Sequence, residues 1–197
     1  MKRIGIMGGS FDPIHTGHAI IARHMLEQCG LDQLWLMVSP ENPFKSGHRM
    51  ASELHRLRMT ELVSRRIAGV TTSGFEMSLP RPSYTVDTLR ALRERFPDDE
   101  FALVIGADNW AAWDRWKNGD EILAHHHVYV YPRLGSEVVI PPALSSRVTL
   151  VAAPIIELSS TQVRQRASAG QDIDFLVPDA VSAYILKHNL YRDNEQQ

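Results

Sequence analysis

His15 and His18 stand three residues apart in the string Gly8–His18, GGSFDPIHTGH. That spacing is close to one helical turn, so both imidazoles can face the same bound group. The string follows the apolar run Ile4-Gly5-Ile6-Met7, which reads as a short buried strand, and precedes Ala19-Ile20-Ile21-Ala22, which opens a helix. Strand, glycine-rich turn and helix together make an anion site, because backbone N–H groups and the positive helix end point at the same place. The plainer alternative makes His15 a turn residue and His18 an ordinary residue of the first helical turn.

Ser159-Ser160-Thr161-Gln162-Val163-Arg164 offers hydroxyls and free N–H groups at another helix start, with Arg164 one turn in. It reads as a second anion site, against the alternative of a plain N-cap with Arg164 on a solvated face. Two phosphate sites and two histidines suit transfer of a nucleotidyl group. That chemistry asks for in-line positioning and donors around spreading charge, and for no nucleophile on the protein. Lys45 would add a point charge. A magnesium ion would bridge the phosphates, and the lack of a dedicated carboxylate cage in the sequence suits an ion that arrives with the nucleotide.

These residues need a scaffold. Apolar runs at Leu34–Val38, Phe101–Ile105, Val128–Tyr131 and Val148–Val151 read as buried strands, with a shorter strand from Val70 running on to Phe75. Between them lie helices over residues 51–66, marked by Leu54, Leu57, Leu62 and Val63, and over residues 85–95, with Val86, Leu89 and Leu92 inward. Helices over residues 159–169 and 179–187 follow. Arg56, Arg58, Arg65 and Arg66 read as a solvated helix face, and His125-His126-His127 as a helix end rather than a metal site. Residues 132–146 carry three prolines and give no clear element. Strands alternating with helices predict an α/β fold, doubly wound around a mostly parallel, Rossmann-like sheet. The expectation is one domain over residues 1–197, with C-terminal helices of about residues 159–191 packed on it. In such sheets ligands bind beyond the carboxyl ends of the strands, where His15, His18, Lys45, Asp108, the tryptophans and Ser159-Ser160-Thr161 all fall.

The 197 residues carry a net charge of −2, which gives no electrostatic footprint for nucleic acid or an acidic membrane. The single Cys29 can form no internal disulfide and reads as a buried, inert thiol. The first apolar run is too short for a signal-peptide core, and no window approaches a bilayer span. A soluble cytoplasmic protein is expected, and a homo-oligomer stays open.

The pattern Gly9, Phe11, Pro13, His15, Gly17, His18 resembles the G-x-F-x-P-x-H-x-G-H signature of the nucleotidyltransferase superfamily. Ser159-Ser160-Thr161-x-Val163-Arg164 resembles the second signature of its adenylyl-transferring members. Pro82-Ser83-Tyr84-Thr85-Val86-Asp87-Thr88, Ile105-Gly106-Ala107-Asp108 with Trp116 beyond it, and the ending around Leu190-Tyr191 are similar to the bacterial nicotinate-nucleotide adenylyltransferase family. The resemblance implies transfer of the adenylyl group of ATP to nicotinate mononucleotide, giving deamido-NAD and pyrophosphate. It implies His15, His18 and Lys45 as the catalytic set. ATP would be held by Gly8, Gly9, Ser10, Phe11, Gly106, Asp108, Ser159, Ser160, Thr161 and Arg164. The mononucleotide would be held by Ser39, Lys45, Tyr84, Thr85 and Trp116.

Residue chemistry fits this. Trp116 could stack on a pyridine ring, with Trp113 or Trp110 as a wall. A helix start at Thr85 could hold a carboxylate, which a helix N-terminus favours by up to about 1–2 kcal/mol. Asp108 could accept from ribose hydroxyls or serve as a helix cap. Two strings depart from the family: Asn42-Pro43-Phe44-Lys45 lacks a histidine before its lysine, and Tyr131-Pro132-Arg133-Leu134-Gly135 replaces Arg-Pro-Gly, so no role passes to Arg133. The rival readings are a related adenylyltransferase for phosphopantetheine or nicotinamide mononucleotide, a cytidylyltransferase for a small alcohol phosphate, and a nucleotide sensor without turnover.

Overall fold

In the computed structural model, residues 1–40 and 50–192 are described. Six strands run β1 Arg3–Gly9, β2 Gln33–Val38, β3 Val70–Ser73, β4 Glu100–Gly106, β5 Val128–Tyr131 and β6 Val148–Leu150. They form one sheet in the order β3-β2-β1-β4-β5-β6, and every neighbouring pair is parallel. The chain reverses its direction of winding between β1 and β4, so the crevice beyond their carboxyl ends is where such a sheet receives its ligands.

The helices are α1 Thr16–Gln28, α2 Glu53–Ser64, α3 Thr85–Arg95, α4 Ala107–Ala111, α5 Gly119–His125, α6 Ser160–Ser168 and α7 Asp179–Lys187. Alternate strand residues enter two cores. Leu34, Leu36, Val38, Ala102, Val104 and Tyr129 pack with Ile21 and Met25 of α1, Met59 and Val63 of α2, Val163 of α6 and Val181 of α7. Ile4, Ile6, Phe101, Leu103, Val128 and Val130 pack with Val86, Leu89 and Leu92 of α3 and Ile122 of α5. Both faces being covered is why the strands read as unbroken apolar runs. Gly30 takes φ +60° just after α1, the left-handed stop that a glycine gives cheaply. Cys29, 7% exposed, caps α1, and burial pushes its thiol up to about 11. Among the described residues, no helix is long and apolar enough to cross a membrane.

Three expectations need correction. β3 ends at Ser73, and Phe75–Ser78 form a 3-10 turn. Leu54, one of the apolar residues that marked the helix over residues 51–66, is 62% exposed. Arg56, read as solvated, is completely buried: its Nη1 donates to the carbonyls of Ser10 and Ser39, both at 2.7 Å, and its Nε to that of Ala51 at 3.1 Å. The guanidinium fork serves several carbonyls at once, which no apolar side chain could do. It ties the loop after β1 to the end of β2 and the entry to α2.

Candidate active site

The turn after β1 is built around the two histidines. His15 is the N-cap of α1, and His18 is its third residue. The His18 backbone N–H donates to His15 Nδ1 at 3.3 Å, and the His15 backbone N–H donates to His18 Nδ1 at 3.2 Å. This is a capping box made from two imidazoles. With each Nδ1 accepting, a neutral ring carries its proton on Nε2, so both rings present an Nε2–H donor on the side away from the helix backbone. The rings stack with centroids 3.7 Å apart and 24° between planes. Gly17 permits the arrangement, since a Cβ there would stand 3.0 Å from His15 Nδ1. Phe11 holds φ +46° and lays its buried ring edge-on to His18, 5.1 Å between centroids. Its side chain is therefore part of the core, and only its backbone faces the turn.

Both histidines are poor bases. Burial first, and the Arg133 charge second, lower His15 from 6.5 to about 4. Burial, His15 and Arg133, in that order, hold His18 well below its ordinary range. Arg133, to which the sequence assigned no role, thus stands beside the pair. Its guanidinium lies 5.5 Å from the Tyr131 ring centroid, and its Nε is 3.8 Å from Asp108 Oδ1 and buried without a hydrogen-bond partner among the described residues. His15, His18, Tyr131 and Arg133 line a small hollow of about 10 Å³ with Met7 and Ile156. Gly106 keeps room here, because a Cβ would come 2.5 Å from Asp108 Oδ1 and 3.2 Å from Arg133 Nε. Gly106 is the N-cap of α4, and Asp108 lies in its first turn. Arg133 follows a strand, and the strand-end rule that selected Asp108 would have selected it too.

α6 closes on the same turn. Ser159 is its N-cap, in a capping box with Gln162. Ser160 Oγ donates to the Pro13 carbonyl at 2.9 Å, Arg164 Nη1 to the Asp12 carbonyl at 2.7 Å, and Arg164 Nη2 to Thr161 Oγ1 at 3.2 Å. Arg164 is thus turned onto the loop rather than out to solvent. Asp12, 2% exposed, accepts from Tyr191 Oη at 2.7 Å and from the Ala51 backbone N–H at 3.1 Å.

On the other side of β1 a cavity of about 800 Å³ is lined by Gly8, Gly9, Ser10, Ser39, Glu76, Tyr84, Thr85, Trp116 and Tyr131, among others. Tyr131 borders both spaces. Tyr84 is the N-cap of α3 and makes no side-chain cap bond, which leaves the first N–H groups of that helix directed outward. Lys117 Nζ lies 4.3 Å from the Tyr84 ring centroid and 2.8 Å from Asp87 Oδ2. Trp116 stacks on Trp113, centroids 4.9 Å apart and 23° between planes. Trp110 is core, 8% exposed, its Nε1 donating to the Val139 carbonyl at 3.1 Å. Lys45 lies outside the described residues. His126 Nδ1 is 2.7 Å from the Phe101 carbonyl, and among the described residues no three His, Cys, Asp or Glu are gathered to hold a metal ion.

A parallel sheet whose crevice joins a glycine-rich turn, a stacked histidine pair and a second helix start is the plan of a nucleotidyl-transferring enzyme. The chain belongs to the cytidylyltransferase-like family, which matches residues 6–166, and within it to the nicotinate-nucleotide adenylyltransferases. It is 39% identical to the "probable nicotinate-nucleotide adenylyltransferase" of Christiangramia forsetii, over 97% of this chain and 99% of that one. It is 40% identical to the protein of the same name from Bacteroides thetaiotaomicron, over 94% of this chain and 92% of that one. Among solved structures it shares its fold with Plasmodium falciparum nicotinic acid mononucleotide adenylyltransferase complexed with NaAD, at a TM-score of 0.77 and 20% identity, covering 97% and 98% of the two chains.

Proposed function

We propose that the protein transfers the adenylyl group of ATP to nicotinate mononucleotide by direct in-line displacement. A phosphate oxygen of the mononucleotide attacks the α-phosphorus of ATP. The bond from that phosphorus to the α,β-bridging oxygen breaks, and pyrophosphate leaves with that oxygen, without an enzyme-bound intermediate. The observation that carries this reading is the large cavity that runs from the uncapped start of α3 to Gly8, Gly9 and Ser10 of the histidine-bearing turn, with Tyr131 bordering both it and the hollow lined by His15 and His18.

Each part has a physical task. The α3 N–H groups at Thr85 take the nicotinate carboxylate, and Trp116, backed by Trp113, stacks on the pyridine ring. Gly8, Gly9 and Ser10 let phosphate approach the backbone. The Nε2–H groups of His15 and His18 donate to phosphoryl oxygens, and their bonds strengthen as negative charge moves to the bridging and leaving oxygens. Neutral rings suit this, because they donate without having to surrender a proton. The start of α6 and Arg164, which close on the histidine-bearing turn, would give the leaving phosphates donors, and Asp108 can accept from the ATP ribose. Magnesium carried by ATP would supply charge neutralisation across the phosphates.

The test is His18→Ala. Turnover is expected to fall by about a hundredfold or more while the far-ultraviolet circular dichroism is retained. Full turnover in that variant would overturn the histidine mechanism, and a change in affinity alone would favour a sensor.

A further inference from the structure

We propose that Glu76 is the ribose-binding carboxylate of the mononucleotide half of the cleft. This rests on the reading of the substrate given above. Glu76 sits in the 3-10 turn after β3, at the carboxyl end of the sheet, and lines the large cavity while only 8% exposed. An acid is out of place there by charge. The other features of the cavity are donors: the start of α3, the glycine-rich turn and the Ser10 region. A mononucleotide that enters it brings a phosphate and a ring carboxylate, both of which repel Glu76.

The side chain is nevertheless held with care. Its Oε2 accepts from Ser39 Oγ at 2.9 Å, and the Ser39 backbone N–H donates to the Gly9 carbonyl at 2.9 Å. Glu76 is thus tied, through one residue, to the phosphate-binding turn. A carboxylate only accepts, and it has about four lone-pair positions for donors. One serine hydroxyl leaves most of them unused, and a buried acceptor without donors is costly. In nicotinate mononucleotide the phosphate and the ring offer no donor. The two ribose hydroxyls do, and adjacent hydroxyls can fork onto a single carboxylate. The ribose also lies between ring and phosphate in the substrate, as Glu76 shares one cavity with Trp116 and Thr85 on one hand and Ser10 on the other. Ser39 then acts as a positioning residue for Glu76, because its one hydroxyl proton is already given to that carboxylate.

The experiment is steady-state pyrophosphate release by the full-length enzyme with ATP and three acceptors: nicotinate mononucleotide and its 2′-deoxy and 3′-deoxy analogues. The wild type is expected to favour the ribose substrate over at least one analogue by about ten- to a hundredfold in kcat/KM, the worth of a charge-assisted hydrogen bond. Glu76→Gln is expected to lose that preference to within about threefold, mainly through KM for the ribose substrate. A purely structural role would lower all three acceptors together and leave the preference intact, which would overturn the proposal. Should Glu76→Gln not fold, the wild type still decides: equal use of all three acceptors refutes a ribose contact, and Ser39→Ala should narrow the preference. No release with nicotinate mononucleotide at all would instead be a failure of the substrate reading, and the Glu76 assignment would fall with it.

Discussion

Replacing Arg56 by methionine isolates the cost of the buried guanidinium. The side chain is fully buried and donates to three carbonyls, those of Ser10, Ser39 and Ala51. Methionine fills comparable volume and offers no donor. Each abandoned carbonyl loses about 1–3 kcal/mol if it stays dry. The segments around residues 10, 39 and 51 are only part-buried, so water recovers some of that. A net loss of about 3–5 kcal/mol is expected, in line with breaking other buried charged networks. With a urea dependence of about 2 kcal/mol per molar, the unfolding midpoint should fall by about 2 M. Arg56→Lys keeps the charge but not the fork and should fall between the two. The assay is equilibrium urea denaturation followed by tryptophan fluorescence and circular dichroism. A loss below about 1 kcal/mol in Arg56→Met would show that these carbonyls are hydrated and that the fork does not hold the turn.

Acid stability should report the buried imidazoles. His15 lies at about 4 in the folded chain against 6.5 when free, so between those values the unfolded chain binds more protons. Stability must therefore fall as pH drops from 6.5 toward 4, by about 3 kcal/mol from His15 alone at the acid end. His15→Asn, which keeps a capping side chain, should flatten that slope in urea midpoints measured across the window, and an unchanged slope would contradict the assignment. The tryptophans should separate cleanly. Trp116→Ala should raise the mononucleotide KM by about tenfold, the worth of ring stacking, with little loss of stability. Trp110→Ala should cost about 3–5 kcal/mol of stability. Equal behaviour of the two in both assays would contradict the division between ring platform and core.

The strands were readable because burial on both faces removes polar residues from them, as at Leu34–Val38 and Phe101–Ile105. The helix over Thr85–Arg95 was readable because Val86, Leu89 and Leu92 fall on one stripe. Arg56 was not, because its partners are backbone carbonyls from three separated segments, and a carbonyl leaves no mark in a sequence. Glu76 directly follows the strand read as running on to Phe75, but it belongs to no motif, and a lone acid there carries no sign that the fold will bury it beside Ser39. Arg133 stands in a string that departs from the family motif, so the resemblance gives it no role, although its place after β5 carries the information. The histidine spacing signals a shared ligand, but not that each ring caps the other's backbone N–H and so leaves Nε2 as the donor atom of both.

The central claim is the reaction and its acceptor. Pyrophosphate release with ATP and magnesium should be compared for nicotinate mononucleotide, nicotinamide mononucleotide and phosphopantetheine. The account predicts a kcat/KM for nicotinate mononucleotide about tenfold or more above the others, from the carboxylate at the start of α3. Equal rates with the two pyridine nucleotides would contradict the helix-terminus basis of selectivity, and no release with any acceptor would contradict the catalytic account itself.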